Sequence, residues 1–288
     1  TGDGNDNVIT TDAGDDRIYD GDGEDEVRTG SGDDIIYNGG GIDYFDGGDG
    51  TDTLVDDLTS ELNGGFEPQS FEVAFNTVTG IHGRANSDIG QDTIVGIENF
   101  TLVGDFNAYV TGGDEDNIFV TGEGDDILTG GAGNDDLNSG AGDDEVYGGD
   151  GDDIIRQTGS GTQLYDGGSG NDTYILELED WVPEVGFTGE VDLSTEFSGA
   201  HVDPENVLND IVRNIENVTL YGNIDFIIRG DTADNILIAD SGDDTIEGGA
   251  GSDLLYGGAG EDTAVFSGAA SEYEIVRDGI VVYVTETT

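Results

Sequence analysis

Residues 14–55 read GDDRIYDGD, GEDEVRTGS, GDDIIYNGG, GIDYFDGGD, GTDTLV, one nine-residue unit repeated without a gap. Gly14, Gly23, Gly32, Gly41 and Gly50 open the units. Asp16, Asp25, Asp34, Asp43 and Asp52 stand two residues later, and Ile18, Val27, Ile36, Phe45 and Leu54 two further on. A copy with Gly4, Asp6 and Val8 precedes them, offset by one inserted residue. So short a period marks a solenoid, in which no unit buries its apolar face alone and stacking supplies the core. One apolar residue per unit suits a short strand with a single inward side chain. The glycines suit a turn whose carbonyls face inward, since glycine reaches φ > 0 without strain.

The unit returns twice more. A second block carries Asp116, Asp126, Asp135, Asp144, Asp153 and Asp172, with Ile118, Leu128, Leu137, Val146, Ile155 and Tyr174 in the apolar place. A third carries Asp234, Asp244, Asp253 and Asp262. In QTGSGTQLY, residues 157–165, Ser160 stands for the usual Gly and Thr162 for the Asp, while Leu164 keeps the apolar place. That turn is expected to bind metal weakly or not at all, and Thr162→Asp to add affinity there. Beside the repeat aspartates, the turn glycines complete the candidate metal set: Gly14, Gly21, Gly23, Gly30, Gly32, Gly39, Gly41, Gly48 and Gly50 in the first block; Gly122, Gly124, Gly131, Gly133, Gly140, Gly142, Gly149, Gly151, Gly168 and Gly170 in the second; Gly242, Gly249, Gly251, Gly258 and Gly260 in the third.

Charge narrows the partners. Among 288 residues, 66 Asp and Glu face 7 basic side chains, a formal charge of −59. Nucleic acid requires a basic footprint and an anionic bilayer a polybasic segment, so neither is expected, and no apolar run approaches the ~18 residues of a membrane span. A chain this acidic would ordinarily stay unfolded, yet 34% of it is hydrophobic and recurs with strict spacing. Coils stacked at ~4.8 Å set like charges against each other at about 3 kcal/mol per pair for an effective dielectric near 20, and a divalent cation between them reverses the sign. There is no cysteine and only His82 and His201, so soft and borderline metals lack ligands, whereas carboxylates and carbonyls suit calcium. The chain has no methionine and no signal-like start, and is read as a piece of a longer protein.

The pattern G-G-x-G-x-D-x-U-x, with U apolar, resembles the haemolysin-type or RTX calcium-binding repeat. That resemblance implies an all-β fold, a right-handed parallel β-roll in which six residues turn, three form a strand and two units close a coil. It also implies several calcium ions between turns of the same edge, bound by the repeat Asp and loop carbonyls, and an extracellular bacterial protein exported by type I secretion.

Two stretches interrupt the pattern and resemble each other. IENFTLVG at 97–104 matches IENVTLYG at 215–222, a shift of 118, as Glu72-Val73 matches Glu190-Val191. Phe100, Tyr109 and Ile118 lie nine apart, as do Val218, Ile227 and Ile236, so the coil is expected to continue with Asn107 and Asp225 in the Asp place. Residues 92–99, DTIVGIEN, look like an RTX linker. The stretches 56–89 and 176–207, with Trp181 and all three prolines, are expected to bulge from the solenoid. Glu272–Val276 and Ile280–Val284 flank Arg277-Asp278-Gly279, a hairpin signal that suits a cap. The expected division is therefore an RTX block at 1–55, a linker coil at 56–110, a block at 111–175, a second linker coil at 176–228, a block at 229–266 and a capping hairpin at 267–288.

No zinc-protease, nucleophile-elbow or phosphate-loop motif is present, and the loops fail the helix-flanked calcium template that closes on a Glu, so no enzyme is expected. The two histidines are read as structural. Tyr19 with Tyr37 and Tyr147 with Tyr165 fall two repeats apart; a sugar platform is one reading, a strand-favouring surface the preferred one. Beyond calcium, self-association and cell-surface or carbohydrate contact are the partner classes left open. An adhesin or surface-layer segment is favoured over the secretion tail of an exported enzyme or toxin.

Overall fold

A computed structural model of the chain describes residues 1–57, 72–85, 92–178, 188–194, 210–268, 273–278 and 281–286. No helix occurs among them. The chain winds between two walls. One is an eleven-stranded sheet in the order β1 (Val8–Thr10), β3 (Glu26–Ser31), β5 (Tyr44–Asp49), β9 (Asp92–Val95), β8 (Ile81–Ala85), β7 (Glu72–Asn76), β11 (Ala108–Thr111), β13 (Ile127–Ala132), β15 (Glu145–Asp150), β17 (Leu164–Ser169), β20 (Ile211–Arg213). The other, also eleven-stranded, runs β2 (Arg17–Tyr19), β4 (Ile35–Asn38), β6 (Thr53–Asp57), β10 (Asn99–Val103), β12 (Ile118–Val120), β14 (Asp136–Asn138), β16 (Ile154–Gln157), β18 (Thr173–Glu177), β21 (Asn217–Tyr221), β23 (Ile236–Ile238), β25 (Leu254–Tyr256). A four-stranded sheet, β19 (Thr188–Asp192), β22 (Asp225–Arg229), β24 (Thr245–Glu247) and β26 (Thr263–Val265), faces the end of the second wall.

Apart from strands β7 and β8, every ladder in the walls is parallel and joins residues one coil apart, as in Ile9↔Val27↔Phe45 and Ile18↔Ile36↔Leu54. The apolar residue of each strand points inward: Val27, Ile36, Phe45, Leu54, Leu128, Leu137, Val146 and Ile155 are wholly buried. Each contributes about 1.5–3 kcal/mol of burial, but only when a coil lies above and below it. The repeat therefore makes an all-β parallel roll, as the periodicity requires.

At four units the inward register differs from the expected one. Asn7 and Ile9, not Asp6 and Val8, continue the period of nine, and no residue is inserted; Val8 is 73% exposed. Phe119 rather than Ile118 pairs with buried Leu137, and Tyr165 rather than Leu164 pairs with Val146. Leu237 takes the place given to Ile236. Val110 and Ile228 are likewise buried in place of Tyr109 and Ile227. At each of these places two apolar or aromatic residues adjoin, and the ladder selects the one that meets its neighbours' column.

The first interruption does not simply bulge. Leu54 pairs directly with Phe100, so the second wall continues as though nothing had been inserted. In the first wall, β7 and β8 form an antiparallel hairpin set between β9 and β11, β8 antiparallel to β9 and β7 parallel to β11. Phe75 fills the space this opens, stacked on Phe100 at 4.6 Å and edge-on to Phe119 at 5.9 Å. In the second interruption β19 pairs parallel with β22, while the counterpart of β8 at the shift of 118, residues 199–203, lies outside the described residues, as do His201, Trp181 and the prolines. At the C-terminal end β27 (Tyr273–Asp278) and β28 (Val281–Glu286) form the expected antiparallel hairpin as a separate sheet, its loop residues 279 and 280 outside the described set.

Candidate metal centre

Each turn occupies six residues and ends on the repeat Asp, directly before a strand. One carboxylate oxygen, Oδ1, accepts the backbone N–H of the residue one coil earlier. Asp34 accepts from Asp16 at 2.7 Å, Asp43 from Asp25 at 2.7 Å, Asp135 from Asn117 at 2.8 Å and Asp153 from Asp135 at 2.8 Å. The other oxygen faces the turn. In Asp25, Asp34, Asp52, Asp126, Asp135, Asp144, Asp153, Asp172 and Asp244, Oδ2 is buried without a hydrogen-bond partner. An ionised oxygen left so costs several kcal/mol unless a cation meets it.

The turn carboxyls carry the signature of that cost. Burial is the largest cause that pushes the carboxyls up from 3.8: Asp126, Asp135 and Asp172 to about 7, Asp52, Asp144 and Asp244 to about 6, with Asp153 also raised. Neighbouring carboxylates add to the rise.

The glycines divide by role. Those at the second and fourth turn positions let coils approach: a Cβ on Gly149 (φ +123°) would sit 2.0 Å from the Gly131 carbonyl oxygen, and on Gly151 (φ +138°) 1.8 Å from that of Gly133. The first-position glycines, part of the repeat pattern but outside the candidate metal set, keep open the space beside Oδ2. A Cβ on Gly148 would lie 2.3 Å from Asp153 Oδ2 and 2.4 Å from the Gly167 oxygen; on Gly130, 2.1 Å from Asp135 Oδ2 and 2.7 Å from the Gly148 oxygen. Gly47, Gly167 and Gly248 keep the same space clear of Asp52, Asp172 and Asp253. A carboxylate oxygen and a carbonyl oxygen border one small cradle, a donor set that fits a hard oxygen-seeking cation and offers nothing to a soft one. The signal was present in the sequence as the glycine five residues before Asp52, Asp135, Asp153, Asp172, Asp253 and Asp262.

Of the sixteen aspartates read from the sequence, Asp16, Asp25, Asp34, Asp43, Asp52, Asp126, Asp135, Asp144, Asp153, Asp172, Asp244, Asp253 and Asp262 stand at the last turn position. Asp6, Asp116 and Asp234 do not. Each stands one residue earlier, exposed, its Oδ1 accepting the N–H of Glu24, Asn134 or Ser252. The last position there belongs to Asn7, Asn117 and Asn235, so these turns present an amide where the others present a carboxylate. Asn107 and Asp225 are also one residue early, with Ala108 and Phe226 in the Asp place. Sequence reading also passed over Glu98 and Glu216. Across each interruption their longer side chains take over the Oδ1 task, accepting from Asp52 at 2.9 Å and from Asp172 at 2.8 Å. Asp92 and Asp210 do so on the opposite edge, for Asp43 and Gln163. Both pairs recur at the shift of 118.

The irregular turn at 158–163 is closed by Gln163, not Thr162. Gln163 Oε1 accepts the Asp144 N–H at 2.9 Å, and its Nε2 donates to the Gly142 carbonyl at 2.8 Å, so an amide N–H caps a carbonyl that a cation could otherwise use. Thr162 is exposed and one position early. Gln163→Asp is expected to raise the calcium stoichiometry measured by titration calorimetry by one ion, whereas Thr162→Asp leaves it unchanged. An added ion in the Thr162 variant alone would refute this register.

Stacked glycine-led turns with inward carboxylates on a parallel roll define a class: a calcium-binding repeat solenoid. The family described as the RTX calcium-binding nonapeptide repeat (4 copies) matches residues 1–36, 30–55, 111–146, 136–156 and 229–264, the three blocks in which these turns recur. The chain is an RTX repeat protein, and its repeats bind calcium. No curated protein matches it in a direct comparison.

Proposed function

We propose that this chain is a non-catalytic segment of a large secreted or cell-surface bacterial RTX protein, of adhesin or surface-layer type, that folds when it meets calcium outside the cell. The observation that carries the reading is the column of buried, unpartnered Oδ2 atoms along the turns, joined at Asp52, Asp135, Asp153 and Asp172 by a first-position glycine that keeps the space beside the oxygen open. In this reading Asp16, Asp25, Asp34, Asp43, Asp52, Asp126, Asp135, Asp144, Asp153, Asp172, Asp244, Asp253 and Asp262 supply carboxylate donors, and turn carbonyls such as those of Gly148 and Gly167 supply the rest. Calcium supplies charge neutralisation and a rigid link between coils; the chain supplies the donors and the core beneath them. The blocks at 1–55, 111–175 and 229–266 are the metal-bearing units, and the tandem halves suit a long array.

A chain built to assemble after export must stay unfolded at cytosolic calcium and fold at extracellular calcium. Circular dichroism during a calcium titration is expected to show β structure appearing cooperatively near 10⁻⁴–10⁻³ M, the range of extracellular sites. A β spectrum already complete at submicromolar calcium would contradict export-coupled folding.

A further inference from the structure

At 20–25 the turn departs from the rest of the roll. Its first position, glycine in the turns led by Gly130, Gly148 and Gly167, is Asp20. Asp20 is 0% exposed. Its Oδ1 accepts two backbone N–H groups, from Gly21 at 2.8 Å and Gly39 at 2.7 Å, which fixes the carboxylate across two coils. Its Oδ2 is buried with no hydrogen-bond partner, as is that of Asp25. One carboxylate oxygen from each of Asp20, Asp25 and Asp43 falls within 4.8 Å of the others. Among the described residues neither Asp20 nor Asp25 is ion-paired; Arg28, nearby in sequence, pairs with Glu26.

We propose that Asp20, Asp25 and Asp43 form a three-carboxylate cation site, the tightest in the roll, in which Asp20 replaces a neutral contact of the ordinary turn with a third anionic ligand. The inference rests on the calcium reading above and deepens it by ranking the sites and naming a ligand outside the repeat consensus. Affinity for a hard cation rises with the number of anionic ligands and with their rigidity, and this site has more of both than a glycine-led turn. Three converging carboxylates also favour charge, so the site discriminates for a trivalent lanthanide over calcium more strongly than its neighbours do. One coil further, Asn38 takes the same first position, and its side-chain oxygen is again buried and unpartnered, a neutral version of the same device.

The test is titration of the full chain with calcium and separately with terbium, followed by calorimetry and by terbium luminescence, in the wild type, Asp20→Asn and Asp20→Glu. Asp20→Asn keeps an acceptor for the Gly21 and Gly39 N–H groups and removes only the charge. The expected result is that it weakens the first binding step by about tenfold or more while later steps and the folding transition remain. Asp20→Glu, which keeps the charge, retains the tight step. Isotherms of Asp20→Asn that superimpose on the wild type, with calcium-dependent folding intact in both, would overturn the three-carboxylate site alone. A wild type that folds without calcium and takes up no ion would overturn the calcium reading itself.

Discussion

Stripped of calcium near neutral pH, the chain is expected to lose its β signal, and on acidification of the chelated sample toward about pH 5 to regain part of it. The sign follows from the raised carboxyls. Asp126, Asp135 and Asp172 titrate in the metal-free fold at about 7, and Asp52, Asp144 and Asp244 at about 6, against 3.8 for an unperturbed Asp. Between those values the fold binds more protons than the unfolded chain, so metal-free stability falls as pH rises through the window from 3.8 to about 7. Protons there partly replace calcium. With calcium bound the dependence reverses, because the ion requires the ionised carboxylates and must compete with protons as the pH falls. Circular dichroism against pH, with and without chelator, reads both limbs. A metal-free chain more stable near pH 8 than near pH 5 would show that the turn carboxylates are not buried as the structure places them.

The largest single-residue effect is expected at Gly148. Replacing it with Ala puts a Cβ 2.3 Å from Asp153 Oδ2 and 2.4 Å from the Gly167 carbonyl oxygen, contacts no real Cβ makes. Both obstructing atoms are the donors assigned to one cation, so the clash is relieved only by moving a donor off the ion. Loss of one site removes about 2.7 kcal/mol of linkage when calcium stands a hundredfold above its dissociation constant, and the two flanking coils lose their link. Titration calorimetry should show one ion fewer than the wild type, with a lower calcium-loaded melting temperature. Gly4→Ala is the control, because a Cβ there meets nothing within 4 Å. Equal stoichiometry in the Gly148 variant and the wild type would remove the cradle from the assignment.

Period, blocks and metal class were legible because they depend on spacing, and spacing survives in a linear string. Register was not, at specific places. At Asp6-Asn7, Asp116-Asn117 and Asp234-Asn235 two polar side chains of similar shape adjoin, and the following pairs Val8-Ile9, Ile118-Phe119 and Ile236-Leu237 are apolar in both members. Either choice satisfies the local pattern, and only the ladder to the next coil decides. A carboxylate is the better ligand for a hard cation, so the local string favours the Asp over the adjoining Asn at all three places. The hairpin β7–β8 escaped for a related reason. Its strands carry no repeat signal, and their place between β9 and β11 is set by long-range pairing. Glu98 and Glu216 were visible in the duplicated Ile-Glu-Asn, but nothing local says that a Glu there completes a turn begun more than forty residues earlier.

The hairpin of β7 and β8 has a mechanical consequence. Strands β10 and β12 are immediate neighbours in one wall, while β9 and β11 are held apart in the other by two further strands. At ~4.8 Å per strand, one side of the rod is about 10 Å longer than the other at that level, and its axis must turn toward the shorter side. Phe75, Phe100 and Phe119 act there as the keystone of an arch. A straight stack of nonapeptides could only lengthen; a stack with such a voussoir turns at that level, so the hairpin sets the direction of the rod as well as its reach.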